Sequence, residues 1–259
     1  MSTGYFQTLN PGDEKRLSTR TSSDGVTVED GMGENRLGEI GYMYPSRWFK
    51  YAVAGEDATV ALLQTTITAA ANHDLDLVMS AAASVGATTV LPTLGATAAV
   101  KNEYRGGFFI VNDAGTEQGH QYLIRGHEAV DSSGVMTCLL DEQDGLVTAL
   151  TTSEQVGLVH NDCHDFVVNP TTITDAPLGA TCVDIPDNSF GWLQYSGQGL
   201  ATADSTGAGQ GEPIASSPNT AGNIVLMDYS GSADLPPVGY MRDTASASGE
   251  ACPVKWNMA

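Results

Sequence analysis

Residues 108–124 read FFIVNDAGTEQGHQYLI, and this stretch decides the fold class. Two short runs rich in aromatic and branched side chains, Phe108–Val111 and Gln121–Ile124, flank a polar turn at 112–117. Apolar runs on either side of a segment that contains Asn, Asp and Gly are typical of a β-hairpin. The sequence therefore predicts two antiparallel strands at this point of the chain.

Similar strand patterns recur along the rest of the sequence, with turn residues between them and no pattern that predicts a crossover helix. The chain contains 29 glycines, and only 16% of its residues are charged, which favours short strands joined by tight turns. The fold class is predicted to be all-β, as an antiparallel β-sandwich or barrel with an extended N-terminal arm. The predicted strands besides the hairpin lie at 47–53, 135–140, 146–150, 156–160, 165–168, 181–185, 190–195, 224–227, 238–241 and 252–258.

Residues 1–45 differ from the remainder, because glycine-containing turns interrupt them and little apolar periodicity lies between the turns. Aromatic residues in this segment favour an extended arm over the alternative, a disordered tail. The predicted domains are this arm at 1–45, a β-rich body at 46–168 and a second β-rich subdomain at 169–259.

The charge distribution separates the same segment from the body. The chain has 31 acidic and 11 basic residues, and six of the basic residues lie within the first 51 positions. Residues 52–259 therefore carry 24 acids against 5 bases, a net charge of −19. Such a body repels phosphate backbones, so nucleic acid is not expected as a partner.

No apolar run approaches the length of about 18 residues that a membrane helix needs, and the N-terminus lacks a secretory pattern. We therefore expect no membrane contact, and synthesis in a cytoplasm.

Motifs with catalytic or metal-binding chemistry are weak throughout. The segment 160–164 contains two His and one Cys, but no second donor cluster completes four zinc ligands. The glycines at 207–211 do not match a phosphate loop, and no Ser-His-Asp arrangement is evident. A surface Ca²⁺ in the acidic turn 141–145 remains open. The sequence predicts no catalytic residue, no metal site, no cofactor and no enzymatic activity. We expect the four cysteines to be buried free thiols, and disulfides formed later are the alternative. The four are Cys138, Cys163, Cys182 and Cys252.

A set of packing and turn motifs runs through roughly residues 45–259. These motifs are RWFKYAVAG at 47–55, YRGGFFIVND at 104–113, GHQYLI at 119–124, GH at 126–127, the stretch 146–161, FGWLQYSG at 190–197, PVGY at 237–240 and the ending 251–258. Together they resemble virion proteins of tailed bacteriophages, in particular capsid decoration or cement proteins.

The resemblance implies a non-enzymatic structural protein on the outer surface of the capsid, which stabilises the DNA-filled head. The implied location is the virion, and the implied partners are the major capsid protein and neighbouring copies of the chain in a homo-oligomer. Residues 1–45 match no part of the family pattern. From composition alone, we predict that the arm binds the capsid through Tyr5, Phe6, Arg16, Arg20, Arg36, Tyr42 and Tyr44.

Other functions stay open at this point. An adhesive or carbohydrate-binding virion module would use the loops predicted at 112–120 and 196–222, with Tyr195 or Trp192 as a stacking platform. Core packing is the alternative role for Trp192. A tail or neck component would share the same composition, whereas an acid/base hydrolase is supported by no constellation of residues.

Overall fold

The computed structural model describes residues 6–19, 37–113, 118–143, 145–172, 174–204, 210–227, 236–243 and 247–258. Within them, 19 strands (β1–β19 in chain order) and one 3₁₀ turn at Asp13–Lys15 build two compact units. Unit 1 comprises residues 1–67 and 162–259, and unit 2 comprises residues 68–161. The predicted all-β class is confirmed; the sheets are rich in antiparallel pairs and do not form a closed barrel.

Unit 1 contains a sheet of 12 strands whose main path runs β1-β3-β4-β15-β19-β18-β16-β17. The remaining strands pair beside this path, with β2 on β15, β14 on β15 and β5, and β13 on β5. The strands of unit 1 are β1 (Phe6–Thr8), β2 (Ser18–Thr19), β3 (Ile40–Met43), β4 (Arg47–Val53), β5 (Leu63–Thr65), β13 (Val167–Val168), β14 (Pro177–Thr181), β15 (Ser189–Thr202), β16 (Pro213–Ser216), β17 (Ile224–Leu226), β18 (Gly239–Met241) and β19 (Ala251–Asn257).

The long strand β15 organises unit 1, since its first half pairs with β4 and its second half pairs with β19. A register shift between Gln194 and Ser196 marks the change of partner. Gly197 follows it with φ +90, where a side chain would be strained and would also collide with the backbone of Ser46. The predicted loop at 196–222 therefore begins as a strand, because glycine lets β15 continue close to the neighbouring chain.

The described part of the predicted arm is extended and belongs to the sheet of unit 1. Strand β1 pairs in parallel with β3, β3 pairs with β4, and β2 pairs with β15. Leu9 is buried in one cluster with Met43, Phe49 and Trp192. Residues 6–19 and 37–45 are therefore ordered by strand pairing and core packing within unit 1, and their order does not depend on a bound partner.

Unit 2 contains a sheet of seven strands in the order β7-β11-β10-β9-β12-β6-β8. The predicted hairpin is confirmed as β9 and β10, in which Tyr122 lies opposite Phe109. The predicted strand at 146–150 is reduced to an isolated bridge at Leu150. The strands of unit 2 are β6 (Leu77–Met79), β7 (Thr89–Val90), β8 (Pro92–Thr93), β9 (Phe108–Val111), β10 (Gln121–Gly126), β11 (Cys138–Leu140) and β12 (Gln155–Val159).

The compact units do not follow the boundaries predicted at residues 45 and 168. The chain instead leaves unit 1 after residue 67 and returns to it at residue 162. Strand β4 and its neighbour β15 are separated by more than a hundred residues, yet they share six register pairs. Pairing between such distant segments makes unit 1 discontinuous in sequence, a property that composition does not encode.

Candidate functional site

The structure places three of the seven predicted arm residues at different positions on unit 1. Tyr42 packs on Trp48, with their ring centroids 4.8 Å apart. The Arg16 side chain is 76% exposed and pairs with Asp13 at 3.1 Å. Tyr44 is 84% exposed in the turn between β3 and β4, and a cis peptide bond joins it to Pro45. Tyr5, Arg20, Arg36 and the side chain of Phe6 lie outside the described residues.

A cleft of about 500 Å³ opens beside these residues, and we call it the Arg47 cleft. The 3₁₀ turn, the start of β4, β15 and β19 all contribute to its walls. Lys15 and Pro45, which line it, are the chain neighbours of Arg16 and Tyr44. The lining also includes Glu14, Arg47, Val60, Cys182, Gln194, Leu200, Pro253 and Trp256.

The Arg47 guanidinium is the central polar group of the cleft. Its Nε and Nη2 atoms both donate to the Gln194 side-chain oxygen, at 3.3 and 2.9 Å. Nη2 also donates to the Cys182 sulfur at 3.3 Å, and Nη1 donates to the Met43 sulfur at 3.5 Å. The side chain is 23% exposed and lies over the Phe49 ring, 4.9 Å from its centroid. Arg47 is therefore fixed by aromatic packing and one strong acceptor.

Gln194 is fixed in turn by the bulge of β15. Its amide nitrogen donates to the backbone carbonyls of Ser196 and Gln198, at 3.1 and 2.8 Å. A Cβ at Gly199 would lie 2.6 Å from the Trp256 indole nitrogen and 2.8 Å from the Gln194 oxygen. Glycine at this position therefore lets the amide and the indole approach the backbone, which places the Gln194 oxygen towards Arg47.

The remaining charges in the cleft leave it weakly positive. The Glu14 carboxylate lies 3.8 Å from Arg47 Nη1 and accepts a hydrogen bond from the Gly12 backbone at 2.8 Å. Glu14 is buried, whereas Lys15 at the rim is exposed. Two cations and one anion sum to a single positive charge, in a chain whose net charge is −20. An anionic group is therefore the polar ligand that this cleft favours.

The thiol of the cleft does not form a nucleophilic centre. Burial raises the pKa of the Cys182 thiol, and Arg47 opposes only part of that rise. Burial likewise raises the pKa of Cys138 and of Cys163 to about 12. Because the thiolate is the reactive form, these sulfurs are inert at neutral pH. All four cysteines are free thiols in the structure; three of them are buried and Cys182 is partly exposed. The Arg47 cleft can bind a group, but it holds no activated nucleophile among its described residues.

The residues considered as a sugar-stacking platform have other roles in the structure. Trp192 is buried and contacts the Tyr51 ring at a centroid distance of 5.0 Å, so it belongs to the core. Tyr195 is half-buried, and the Lys50 ammonium lies 5.1 Å from its ring centroid. The buried Trp192 therefore presents no open face on which a sugar could stack, whereas Tyr195 is partly exposed and has Lys50 over one face of its ring.

A second polar cluster, in unit 2, is fully buried around Tyr104. His73 Nε2 donates to the Thr97 carbonyl at 2.9 Å, so this nitrogen carries the proton of the neutral ring. His73 Nδ1 is therefore the acceptor, and the Tyr104 hydroxyl donates to it at 2.6 Å. The Tyr104 backbone N–H donates to His127 Nε2 at 3.1 Å, and His127 Nδ1 donates to the Glu128 carbonyl at 2.9 Å. Burial raises the pKa of Tyr104 far above its ordinary value, so its hydroxyl stays protonated. These bonds link three loops of unit 2 and support its fold.

The His- and Cys-containing segment 160–164 is divided between the two units, with the boundary after Asn161. On the unit 2 side, His160 lies 3.8 Å from Glu103. On the unit 1 side, His164 lies 3.0 Å from Asp165. In the part of the chain that the structure describes, no group of three or more His, Cys, Asp or Glu side chains is arranged to hold a metal ion.

The outer face of the unit 2 sheet carries an exposed apolar row. Phe108 on β9 lies opposite Val159 on β12 and Leu123 on β10. These side chains are 37%, 39% and 36% exposed, respectively. Burial alternates along β9 and β10, so the same strands direct Phe109 and Tyr122 into the core. A row of three apolar side chains in direct register is a candidate contact surface.

Sequence reasoning identified Arg47 as the start of an aromatic strand but missed its role as the centre of a cleft. The available signal was its type and spacing, since Arg47 is one of only 11 basic residues and shares one strand face with the buried Phe49 and Tyr51. Its partners Gln194 and Cys182 are 147 and 135 residues away, so no local motif could indicate them.

Compared with protein-family models, with curated proteins and with solved structures, the chain matches none. Among the described residues, no helix is long and apolar enough to cross a membrane.

Proposed function

We propose that this protein is a non-enzymatic structural component of a tailed-bacteriophage particle. It binds the outer surface of the capsid as a decoration or cement protein and stabilises the DNA-filled head. Its partners are the major capsid protein and neighbouring copies of itself. It is made in the host cytoplasm and resides in the virion. The phage-like segments described above and the acidic composition support this proposal.

One structural observation carries the proposal. The described part of the N-terminal arm at 1–45, which we also call the leader, is paired into the sheet of unit 1 and presents Tyr44 next to Pro45 in the lining of the Arg47 cleft. A tyrosine that is 84% exposed is a suitable anchor, because aromatic side chains dominate the energetics of interfaces. The turn that carries it connects two paired strands, β3 and β4. Binding through this turn avoids the cost of ordering a free arm, about 1–2 kcal/mol per residue.

The charge distribution suits an outward-facing role. Unit 1 carries 20 acidic against 8 basic residues, and unit 2 carries 11 against 3. Both units therefore repel DNA and other polyanions. The basic residues Lys15, Arg16 and Arg47 lie at or next to the cleft, so the face that we assign to the capsid is less acidic than the rest. Many weak contacts of this kind, repeated over a shell, add up to firm attachment.

Binding to heads tests the proposal. Removal of residues 1–40 would also remove the buried Leu9, so point variants at exposed positions are the sharper tool. We expect Tyr44→Ser and Arg16→Glu to weaken co-sedimentation with purified expanded heads that lack this protein. Tyr240→Ser, at a tyrosine of β18 that is 45% exposed, is the matched control and should bind normally. Undiminished binding of both leader variants would refute the assignment of this face.

A further inference from the structure

We infer that the Arg47 cleft binds a single carboxylate, carried by an extended apolar segment of the capsid partner. The inference rests on the proposed function only for the identity of the partner. The chemistry of the ligand follows from the cleft itself.

The donors of Arg47 are not equally satisfied. Nε and Nη2 share the Gln194 oxygen, which is a good acceptor. Nη1 has the Met43 sulfur at 3.5 Å and the Glu14 carboxylate only at 3.8 Å, beyond a normal hydrogen bond. A thioether is a weak acceptor. The guanidinium therefore retains donor capacity in a lining position of the cleft, where a carboxylate would form a charge-assisted bond.

The geometry is fixed before any ligand arrives. The Gln194 amide is anchored by two backbone carbonyls, and the Arg47 plane packs on Phe49. The guanidinium therefore loses little conformational freedom when it binds a ligand. The exposed Lys15 at the rim adds a second cation whose side chain is free to follow the ligand.

Glu14 restricts the charge of the ligand. Its carboxylate already lies near Arg47, so the cleft carries one net positive charge and is balanced by one negative charge. A dianionic phosphate would be repelled by Glu14, and a polyanion would also be repelled by the body of net charge −19. A monoanionic carboxylate matches the cleft better than either.

The walls define what carries the carboxylate. Val60 and Leu200 are 43% and 54% exposed at the cleft, and Pro253 and the buried Trp256 also line it. A volume of about 500 Å³ exceeds the space that a lone carboxylate fills and lies in the range of sites for larger ligands. Apolar side chains on either side of an Asp or Glu residue would cover Val60 and Leu200. The ligand is therefore an extended apolar–acidic–apolar segment.

Short capped peptides test this ligand class on the intact protein. The probe is acetyl-Val-Glu-Val-amide, and acetyl-Val-Gln-Val-amide is its matched neutral control. The readout is the ¹⁵N NMR signal of the Arg47 Nε–H group during titration at constant ionic strength. We expect the Glu peptide to shift this signal and to bind about tenfold more tightly than the Gln peptide, the effect of one charge contact of about 1.4 kcal/mol.

Variants distinguish the site from general charge attraction. Lys15→Gln removes an exposed cation and leaves the buried contacts in place, so it should weaken the Glu peptide about threefold to tenfold. Lys101→Gln, at a partly exposed lysine of unit 2 that does not line the cleft, is the matched control and should not change the affinity. Equal binding of both peptides, no shift of the Arg47 signal or an unaffected Lys15→Gln variant would overturn the inference. If the peptides bind as expected but heads do not bind, the cleft chemistry stands and the proposed function fails.

Discussion

Leu9→Ala tests whether the leader belongs to the fold of unit 1. Leu9 is only 4% exposed, and its Cδ1 atom lies 2.6 Å from the point where a Cβ would stand on Gly41. The same Gly41 position is 2.9 Å from the Trp192 ring. Because residue 41 of β3 is a glycine, it leaves space next to the Trp192 indole, and the Leu9 side chain fills that space. Its truncation leaves a cavity between the leader and the core.

The magnitude follows from the atoms removed. Leu to Ala deletes three carbon atoms, at about 0.8 kcal/mol of transfer free energy each, and the cavity adds a further penalty. We expect the free energy of unfolding of unit 1 to fall by about 3 kcal/mol. With a urea m-value of about 2 kcal/mol/M, the unfolding midpoint falls by about 1.5 M.

Tryptophan fluorescence during urea unfolding is a selective assay, because all three tryptophans lie in unit 1. Leu17→Ala is the matched control, since Leu17 is in the same leader but 41% exposed. Its effect should stay below about 0.5–1 kcal/mol. An unchanged midpoint for Leu9→Ala in the free protein would refute the packing described here and would favour an arm that orders only on a partner.

Three further predictions concern other parts of the chain. Tyr104→Phe removes the donor to His73 and should destabilise unit 2 by about 1–3 kcal/mol, detected as faster hydrogen exchange of its strands. Because burial raises the pKa of Tyr104 in the folded state, unit 2 should also lose stability as the pH rises above about 10, a loss that Tyr104→Phe should reduce. Hydrogen bonds from side-chain hydroxyls, with Ser217 the strongest, lower the pKa of Asp204. The ionised Asp204 therefore stabilises unit 1 above a pH of about 4, and this stabilisation is lost as the pH falls through the lowered pKa. Asp204→Ala should therefore lower the urea midpoint of unit 1 at pH 7 by the equivalent of about 1 kcal/mol, and an equal effect at pH 2 would contradict this explanation. Phe108→Ser on the outer row of unit 2 should leave stability nearly unchanged but reduce self-association in sedimentation velocity, and an unaltered profile of an oligomeric protein would exclude this row as the contact.

Local patterns were sufficient where strand pairing is local or where one face of a strand is buried. The paired residues of the β9–β10 hairpin are only 11 to 15 positions apart in sequence, so alternation and the polar turn identify it. The last strand, β19, alternates buried Cys252, Val254 and Trp256 with more exposed neighbours, which is the pattern predicted from the sequence. The aromatic run 47–53 forms β4 with the predicted bounds.

Local patterns failed where glycine or a distant partner determines the structure. The second half of β15 is rich in Gly, Ser and Gln, a composition that predicts loops and short strands over 196–222, whereas the close approach at Gly197 and Gly199 requires glycine within one long strand. The sequence predicts an extended arm at 1–45 but not its pairing within unit 1, because the residues that β2 and β15 pair are about 170 positions apart. The motif around Arg47 does not indicate its contacts, since Gln194 reaches it only after β4 and β15 have paired.

The copy number of this protein in purified particles, relative to the major capsid protein, tests the proposed location in the virion directly. A decoration protein covers the whole shell, so we predict a ratio close to that of the capsid subunits or a simple fraction of it. Quantitative mass spectrometry of intact particles supplies the ratio. A few copies per particle would instead assign the protein to the tail, neck or a single vertex, and its absence from particles would contradict a virion role altogether.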